Sequence, residues 1–407
     1  MYTENREEFV RALGVQEMPA LFGARFDEVM AEYDREGVWY LTDSFITALQ
    51  EKEHIFRVKF DYVMEALRRV RENDFLARYS LLLYQMQKDN DHNGEIYLKK
   101  FPYGEYGEQA DYEMAAFFSQ LAFAPDVAAH HRAHNVPEDV IEDTLNDLYE
   151  CGILVCNDCF DRDGCHPRCF GWNQIYMNYR ILRVGVLNFE IRDHFTGAVT
   201  VFGNGKGEYV ALANDRDIAP NGQMTGSAGC DGVDYHAVIT ETDDYYEGHA
   251  ADPVWAVYGK EPVRLSKEEW SPVLVREDHI INVHIPSSVA ITPENCEAAY
   301  RRAAEVWTRC YPEYTPKVFT CFSWLLDPQL RRMLKPTSNV LAFQNRYQRF
   351  AMKNPGRAVD AFLFRKPVER IEDWVEDTSL QRTVKAHYLA GGYIYEPGGF
   401  FFTYLED

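Results

Sequence analysis

Residues 280–310 read IINVHIPSSVAITPENCEAAYRRAAEVWTRC, and the punctuation of this stretch sets the fold class of the second half of the chain. Residues 280–285 are a mostly apolar run of strand type. Pro286 ends it, because proline has no N–H to give a ladder. A loop follows: Ser287, Ser288, Val289, Ala290 and Ile291. Thr292 is an N-cap by type and Pro293 suits the first helical position, so a helix is expected over 293–309. The free N–H groups at such a helix start are a ready anion site, although an ordinary strand-to-helix turn has the same text.

The text upstream, over 186–285, is strand-like and rich in turns: FEIR, AVTVFGN, YVALAN, HAVITET, PVWAVYG. Asn204-Gly205 and Asn221-Gly222 are turn signals, and an antiparallel meander is expected. Downstream the elements alternate. A strand is expected over 318–325, helices over 328–334 and 340–352, a strand over 361–365, a helix over 380–389 and a last strand over 399–404. Residues 1–150 are helical in pattern. Phe56, Phe60, Val63, Met64, Leu67 and Val70 recur at three- and four-residue steps, and Phe75, Leu76, Tyr79, Leu82, Leu83 and Met86 continue the stripe. A helix over 113–123 is expected to close at Pro125, and Pro137 to open another through Leu148.

The chain has 407 residues, and its charge balance of 42 basic to 64 acidic residues leaves it at −22. Such a surface repels phosphate backbones and anionic lipid, which excludes general nucleic-acid or membrane-surface binding but not a local basic pocket for an anionic cofactor. No run approaches the length of a membrane helix and the first ten residues are no secretory signal, so a cytoplasmic protein is expected.

Five of the nine cysteines, Cys151, Cys156, Cys159, Cys165 and Cys169, fall within 19 residues. Cys156-x2-Cys159 and Cys165-x3-Cys169 resemble two chelating pairs, with His166 in reserve, and these four thiols are the candidate ligands of a structural zinc. A loop of unpaired thiols fits the same text. Asp89-x-Asp91-x-Asn93-Gly94 resembles the start of a calcium loop, but Lys100 stands where the bidentate acid belongs, so a polar turn is the better reading. No phosphate-binding glycine motif and no G-x-S-x-G elbow is present.

Several ordered segments resemble a known family. His284-Ile285-Pro286, Thr292-Pro293-Glu294, Tyr311-Pro312-Glu313, Cys321-Phe322-Ser323-Trp324-Leu325-Leu326-Asp327-Pro328, Ser338-Asn339-Val340-Leu341-Ala342-Phe343-Gln344 and Thr378-Ser379-Leu380-Gln381-Arg382 are similar to the GNAT-like C-terminal domain of a bacterial group of N-acyltransferases. Val136-Pro137-Glu138, Thr144-Leu145, Asp147-Leu148 and residues 182–190 are similar to that group's helical N-terminal domain. The resemblance implies an α/β fold in two parts: a helical domain over 1–185 that includes the cysteine-rich segment, and a GNAT-like mixed sheet over 186–407 with an enlarged antiparallel portion.

It also implies a chemistry. In that superfamily the fourth and fifth strands splay, acyl-CoA enters the gap, and its pyrophosphate rests on amides at the next helix start. An amine attacks the thioester, a carboxylate takes the amine proton, and a tyrosine protonates the thiolate. Here the fourth strand would be 280–285 and the fifth 318–324. Ser287, Ser288, Val289, Ala290, Ile291 and Thr292 would hold the cofactor, while Glu190, His284 and Tyr347 are the candidate acid–base residues. The acceptor would be a small-molecule or peptide amine. One departure stands out: residues 285–294 contain no glycine, and side chains there crowd a phosphate. A GNAT-like binding module without CoA chemistry is therefore the second reading.

Overall fold

The computed structural model describes residues 6–13, 20–89, 104, 106–286, 289–356, 359–364, 370–402 and 404. The calcium-like segment lies almost wholly outside them. The chain divides into two compact units, Met1–Arg183 and Val184–Asp407.

The first unit is helical: α1 (Arg6–Ala12), α2 (Ala20–Glu36), α3 (Asp43–Glu53), α4 (Phe60–Glu72), α5 (Asp74–Asp89), α6 (Gln109–Leu121), α7 (Ala124–Ala133), α8 (Glu138–Phe160) and α9 (Pro167–Met177). The stripe in α4 buries Val63, Ala66, Leu67 and Val70. Helices α5 and α6 pack on each other and are buried over most of their residues, as befits helices at the centre of a bundle. Their buried amides are satisfied among themselves: Gln87 donates to Ser119 at 3.0 Å, Gln120 to Gln87 at 3.2 Å and Asn173 to Gln120 at 2.9 Å. Pro125 does not close α6. It sits in the first turn of α7, where its missing N–H has no helical partner to lose. The helix opened by Pro137 runs twelve residues beyond Leu148, to Phe160.

The second unit is built on a mixed sheet. Its strands are β2 (Leu187–Arg192), β3 (Val199–Gly203), β4 (Tyr209–Ala213), β5 (Arg216–Ile218), β6 (Tyr235–Ala237), β7 (Thr240–Glu241), β8 (Tyr245–Gly248), β9 (Val263–Ser266), β10 (Ser271–Leu274), β11 (Ile280–His284), β12 (Phe319–Phe322), β13 (Gln348–Phe350) and β14 (Gly398–Phe401); β1 (Ile181–Val184) spans the boundary between the units. Helices are α10 (Pro293–Cys310), α11 (Asn339–Asn345), α12 (Val359–Leu363) and α13 (Ser379–Leu389). The main sheet runs β1-β2-β11-β12-β14-β13. The expected meander is instead three small sheets, β10-β3-β4, β5-β6 and β7-β8-β9.

Alternation along the strands divides the main sheet into two faces. Phe319 and Phe401 join Phe189 under Tyr300 of α10, with ring centroids 5.0–5.9 Å from it. Ile280, Val318, Phe350 and Phe400 face the other way and form a core with Val199, Val201 and Ala211 of the small antiparallel sheet. Two expectations fail locally. The helix expected over 340–352 ends at Asn345 and continues as β13, and residues 359–363 form a helix rather than a strand. Short apolar runs carry too little periodicity to separate the two states.

Candidate active site

The backbone creates the site before any side chain does. Strand β11 pairs with β2 along its whole length, from Ile280↔Arg192 to His284↔Asn188, and β12 pairs with β14 just as fully. Between themselves β11 and β12 are parallel and pair only at Ile281↔Phe319 and Asn282↔Thr320. Beyond that point their pairing stops, and the ladder is open between residues 283–284 and 321–322.

Glu190 lies opposite Asn282. Residues two apart share a face, so Glu190, Asn282 and His284 emerge together on the side of the small antiparallel sheet. The Nε2 of His284 is 2.7 Å from Glu190 Oε2. Arg192 Nε donates to the same oxygen at 2.8 Å and Asn282 Nδ2 at 3.4 Å, while Thr320 donates to Asn282 Oδ1 at 3.1 Å. Glu190 is only 8% exposed. Burial pushes its pKa up, but the hydrogen bonds from His284 and Arg192 outweigh that and hold it at about 2.

Tyr347 follows α11 directly and lies on the other face. Its hydroxyl is 2.8 Å from that of Tyr300. Burial raises both phenols well above their ordinary pKa, so both stay protonated. Tyr300 also lines a cavity of about 350 Å³ between α10 and α11, with Ile291, Cys296, Ala342, Phe343 and Arg346 among its walls. Arg346 is paired with Glu297 and lies over the rings of Tyr300, Phe401 and Tyr404. The sheet opening thus has a histidine–carboxylate pair on one face and a cavity with a tyrosine pair on the other.

The expected pyrophosphate loop is only partly described, since Ser287 and Ser288 lie outside the described residues. Thr292 caps α10 by accepting from Asn295 N at 3.2 Å, and Asn295 Nδ2 donates to Ala290 O at 3.0 Å. Cys296 N bonds Thr292 O, and Pro293 has no N–H. Ile291 lines the cavity, whereas Val289 and Ala290 are not among its walls. Of the amides at this helix start, those of Asn295 and Cys296 are bonded by the chain itself, and Glu294 stands in the first turn.

Two family models match the chain. One, the GNAT-like C-terminal domain, covers residues 181–401, more than half of the chain; the other, the N-acyltransferase N-terminal domain, covers 64–176. The chain belongs to the GNAT-like acyltransferase family. Solved structures agree in fold. An acyltransferase in complex with decanoyl-CoA is 17% identical with a TM-score of 0.62, and the match covers 97% of this chain and 98% of that one. An acyltransferase in complex with decanoyl-CoA and teicoplanin is 18% identical with a TM-score of 0.59 over the same shares. No curated protein matches the chain significantly.

Within this GNAT-like chain the cysteine-rich segment takes a different form from the expected one. Cys156 lies on α8 and Cys169 on α9, with Cys165 in the turn between, so the two expected knuckles are helical termini. Among the described residues no group of three or more His, Cys, Asp or Glu is placed to hold a metal, and the side chain of Cys159 lies outside them. The zinc expectation finds no support. Burial, helped by the neighbouring thiols of Cys169 and Cys156, raises the thiol of Cys165 well above its ordinary pKa. Burial does the same to Cys321 on β12, which keeps that thiol un-ionised. Among the described residues no helix is long and apolar enough to cross a membrane.

Glu190 gives a pH signature. Its folded pKa lies below the ordinary 4.5, so its contribution to stability is complete above about pH 4.5 and is lost as pH falls toward 2. Urea unfolding from pH 7 to pH 3 should show the difference between wild type and Glu190→Gln shrinking over that window. The difference at pH 7 is on the order of 3 kcal/mol at most. A difference independent of pH refutes the ionised, paired carboxylate.

Proposed function

We propose that this protein is an acyl-CoA-dependent N-acyltransferase. The observation that carries the reading is the opening between β11 and β12, which is flanked by the His284–Glu190 pair on one face and by the cavity of α10 and α11 on the other. The thioester arm of the donor would lie in the cavity, whose walls are mostly apolar, and present its carbonyl at the opening. The solved relatives hold decanoyl-CoA, which supports a medium-length acyl donor.

The amine nitrogen attacks the thioester carbonyl carbon to form a tetrahedral oxyanion. A carboxylate held near pH 2 is a weak proton acceptor, so Glu190 orients rather than accepts. It holds the imidazole of His284 through Nε2, and as His284 removes the amine proton it stabilises the imidazolium that forms. Collapse of the oxyanion breaks the C–S bond. Tyr347, protonated and bonded to Tyr300, is the acid on the thiolate side. The acceptor is a small-molecule or peptide amine, and the chain's charge of −22 favours a cationic one. Teicoplanin in two of the relatives supports a bulky acceptor.

The lack of glycine over residues 285–294 and the acid Glu294 in the first turn of α10 favour the second reading, a binding module without CoA chemistry. One experiment separates them. The chain is incubated with decanoyl-CoA and a panel of amines, and free CoA and acylated amine are followed by mass spectrometry, with thermal shift alongside. The enzyme reading expects amine-dependent CoA release in equal amount to acylated product. A folded protein that shows no turnover and no shift at millimolar decanoyl-CoA overturns it.

A further inference from the structure

Three arginines lie around the C-terminal end of α11: Arg349 and Arg331 bond Gln344 and Asn345, and Arg332 adjoins Arg331 in sequence. The side chain of Arg349 on β13 is buried, only 2% exposed. Its Nη1 donates to Gln344 O at 3.1 Å, and its Nε has no hydrogen-bond partner. Arg331 is half-buried. It donates through Nη2 to Asn345, and its Nε is likewise buried without a partner. Arg332 is exposed, with its guanidinium carbon 5.6 Å from the ring centre of Trp255. That ring is 43% exposed, and its loop is held to β13 by the bond from Arg349 N to Pro253 O.

Several other partly buried arginines are paired differently. Arg69, Arg78, Arg132 and Arg162 each have a carboxylate within 3 Å. Among the described residues none of these three has one. The acids near Arg349 are Asp252 and Asp327, and both are engaged elsewhere. Asp252 accepts from the backbone of Val254 and Trp255, and Asp327 from Gln329 and Tyr395. Burial and the nearby Arg331 lower the Arg349 pKa to about 10, so it remains a cation. The carbonyl of Gln344 at the end of α11 offsets part of its charge. Adjacent guanidinium forks are nevertheless the arrangement that phosphate and carboxylate groups take bidentately.

We infer that Arg331, Arg332 and Arg349 form an oxyanion-binding site for a small molecule, with Trp255 as its flat wall. The favoured source of the anion is the phosphorylated end of the acyl donor, which rests on the acyltransferase reading. Phe343 and Arg346 line the cavity while Gln344 and Asn345 bond the arginines, so cavity and cluster flank the same helical turn. The first turn of α10 carries Glu294 and no basic residue, which leaves the donor phosphates in need of cations elsewhere. A carboxylate of the acceptor is the other source of the same chemistry.

Calorimetric titration of the full chain with adenosine 3′,5′-bisphosphate, and separately with hippurate as an aromatic carboxylate, tests the site. One equivalent of either ligand should bind, and Arg331→Gln and Arg332→Gln should each weaken it roughly tenfold. Because Arg332 is exposed, its variant stays informative even where a buried change fails to fold. Bisphosphate binding that CoA displaces assigns the donor phosphates; hippurate binding that CoA leaves alone assigns the acceptor. The site is overturned when neither ligand binds the folded wild type at millimolar concentration, or when both variants bind within about twofold of wild type. S-decanoyl-pantetheine, which lacks the nucleotide, keeps the two readings apart. Equal turnover of it and decanoyl-CoA, unaffected by Arg331→Gln, removes the donor assignment and leaves the acyltransferase standing.

Discussion

Replacing His284 with Gln is expected to lower acyl transfer by about two to four orders of magnitude, with donor affinity and melting temperature near wild type. The side chain stands at the end of β11, where the pairing with β12 has stopped, and its Nε2 is fixed by Glu190. Glutamine keeps a donor for the carboxylate but offers no basic nitrogen. The loss should therefore fall in kcat rather than KM. Glu190→Gln should fall between wild type and this variant, because the imidazole remains while its tautomer and charge stabilisation are lost. The Glu190 variant should also shift the limb of the pH–rate profile that reports the base, which a purely structural role leaves in place. Full activity in His284→Gln would move the proton acceptor away from this pair.

Ala342→Trp is expected to weaken decanoyl-CoA binding by roughly a hundredfold or more, since ligand sites of this type act by enclosing the ligand. Ala342 is half-buried and faces the cavity of about 350 Å³ from α11. An indole there fills the space that the thioester arm would occupy. A cavity accepts added volume with less strain than a packed core, so the melting temperature should change little. Titration calorimetry with decanoyl-CoA reads the effect. Unchanged affinity in a folded Ala342→Trp protein would place the donor outside this cavity, and the site at the opening would need another route of access.

Much of the architecture was legible in local text. The pair Thr292-Pro293 specified the start of α10, and the cap is present as expected. Pro286 marked the end of a strand, and the division into a helical part and a sheet part followed from the change of period. Pro125 and residues 340–352 misled, because proline is compatible with both the end of one helix and the start of the next, and because a short apolar run fits a helix or a strand. The cysteines misled for a related reason. Spacing alone suggested knuckles, whereas α8 continues through Cys156 and its burial and neighbours decide its state.

The candidate acid–base pair was half legible. Glu190 and His284 stood out as polar residues in apolar strands, and Asn282 with Arg192 carried the same signal at the alternate positions. Their meeting was not legible, since it depends on the antiparallel register of β2 and β11. Tyr347 was named only through the family resemblance, and neither its pairing with Tyr300, forty-seven residues away, nor the meeting of arginines from two separate segments has a sequence signal. The sequence by itself determined elements, caps and family, because those rest on interactions within a few residues. The sheet opening, the depressed carboxylate, the tyrosine pair and the cationic cluster were decided only by tertiary structure. Register, burial and charge are properties of neighbours brought together by folding, and no local pattern encodes them.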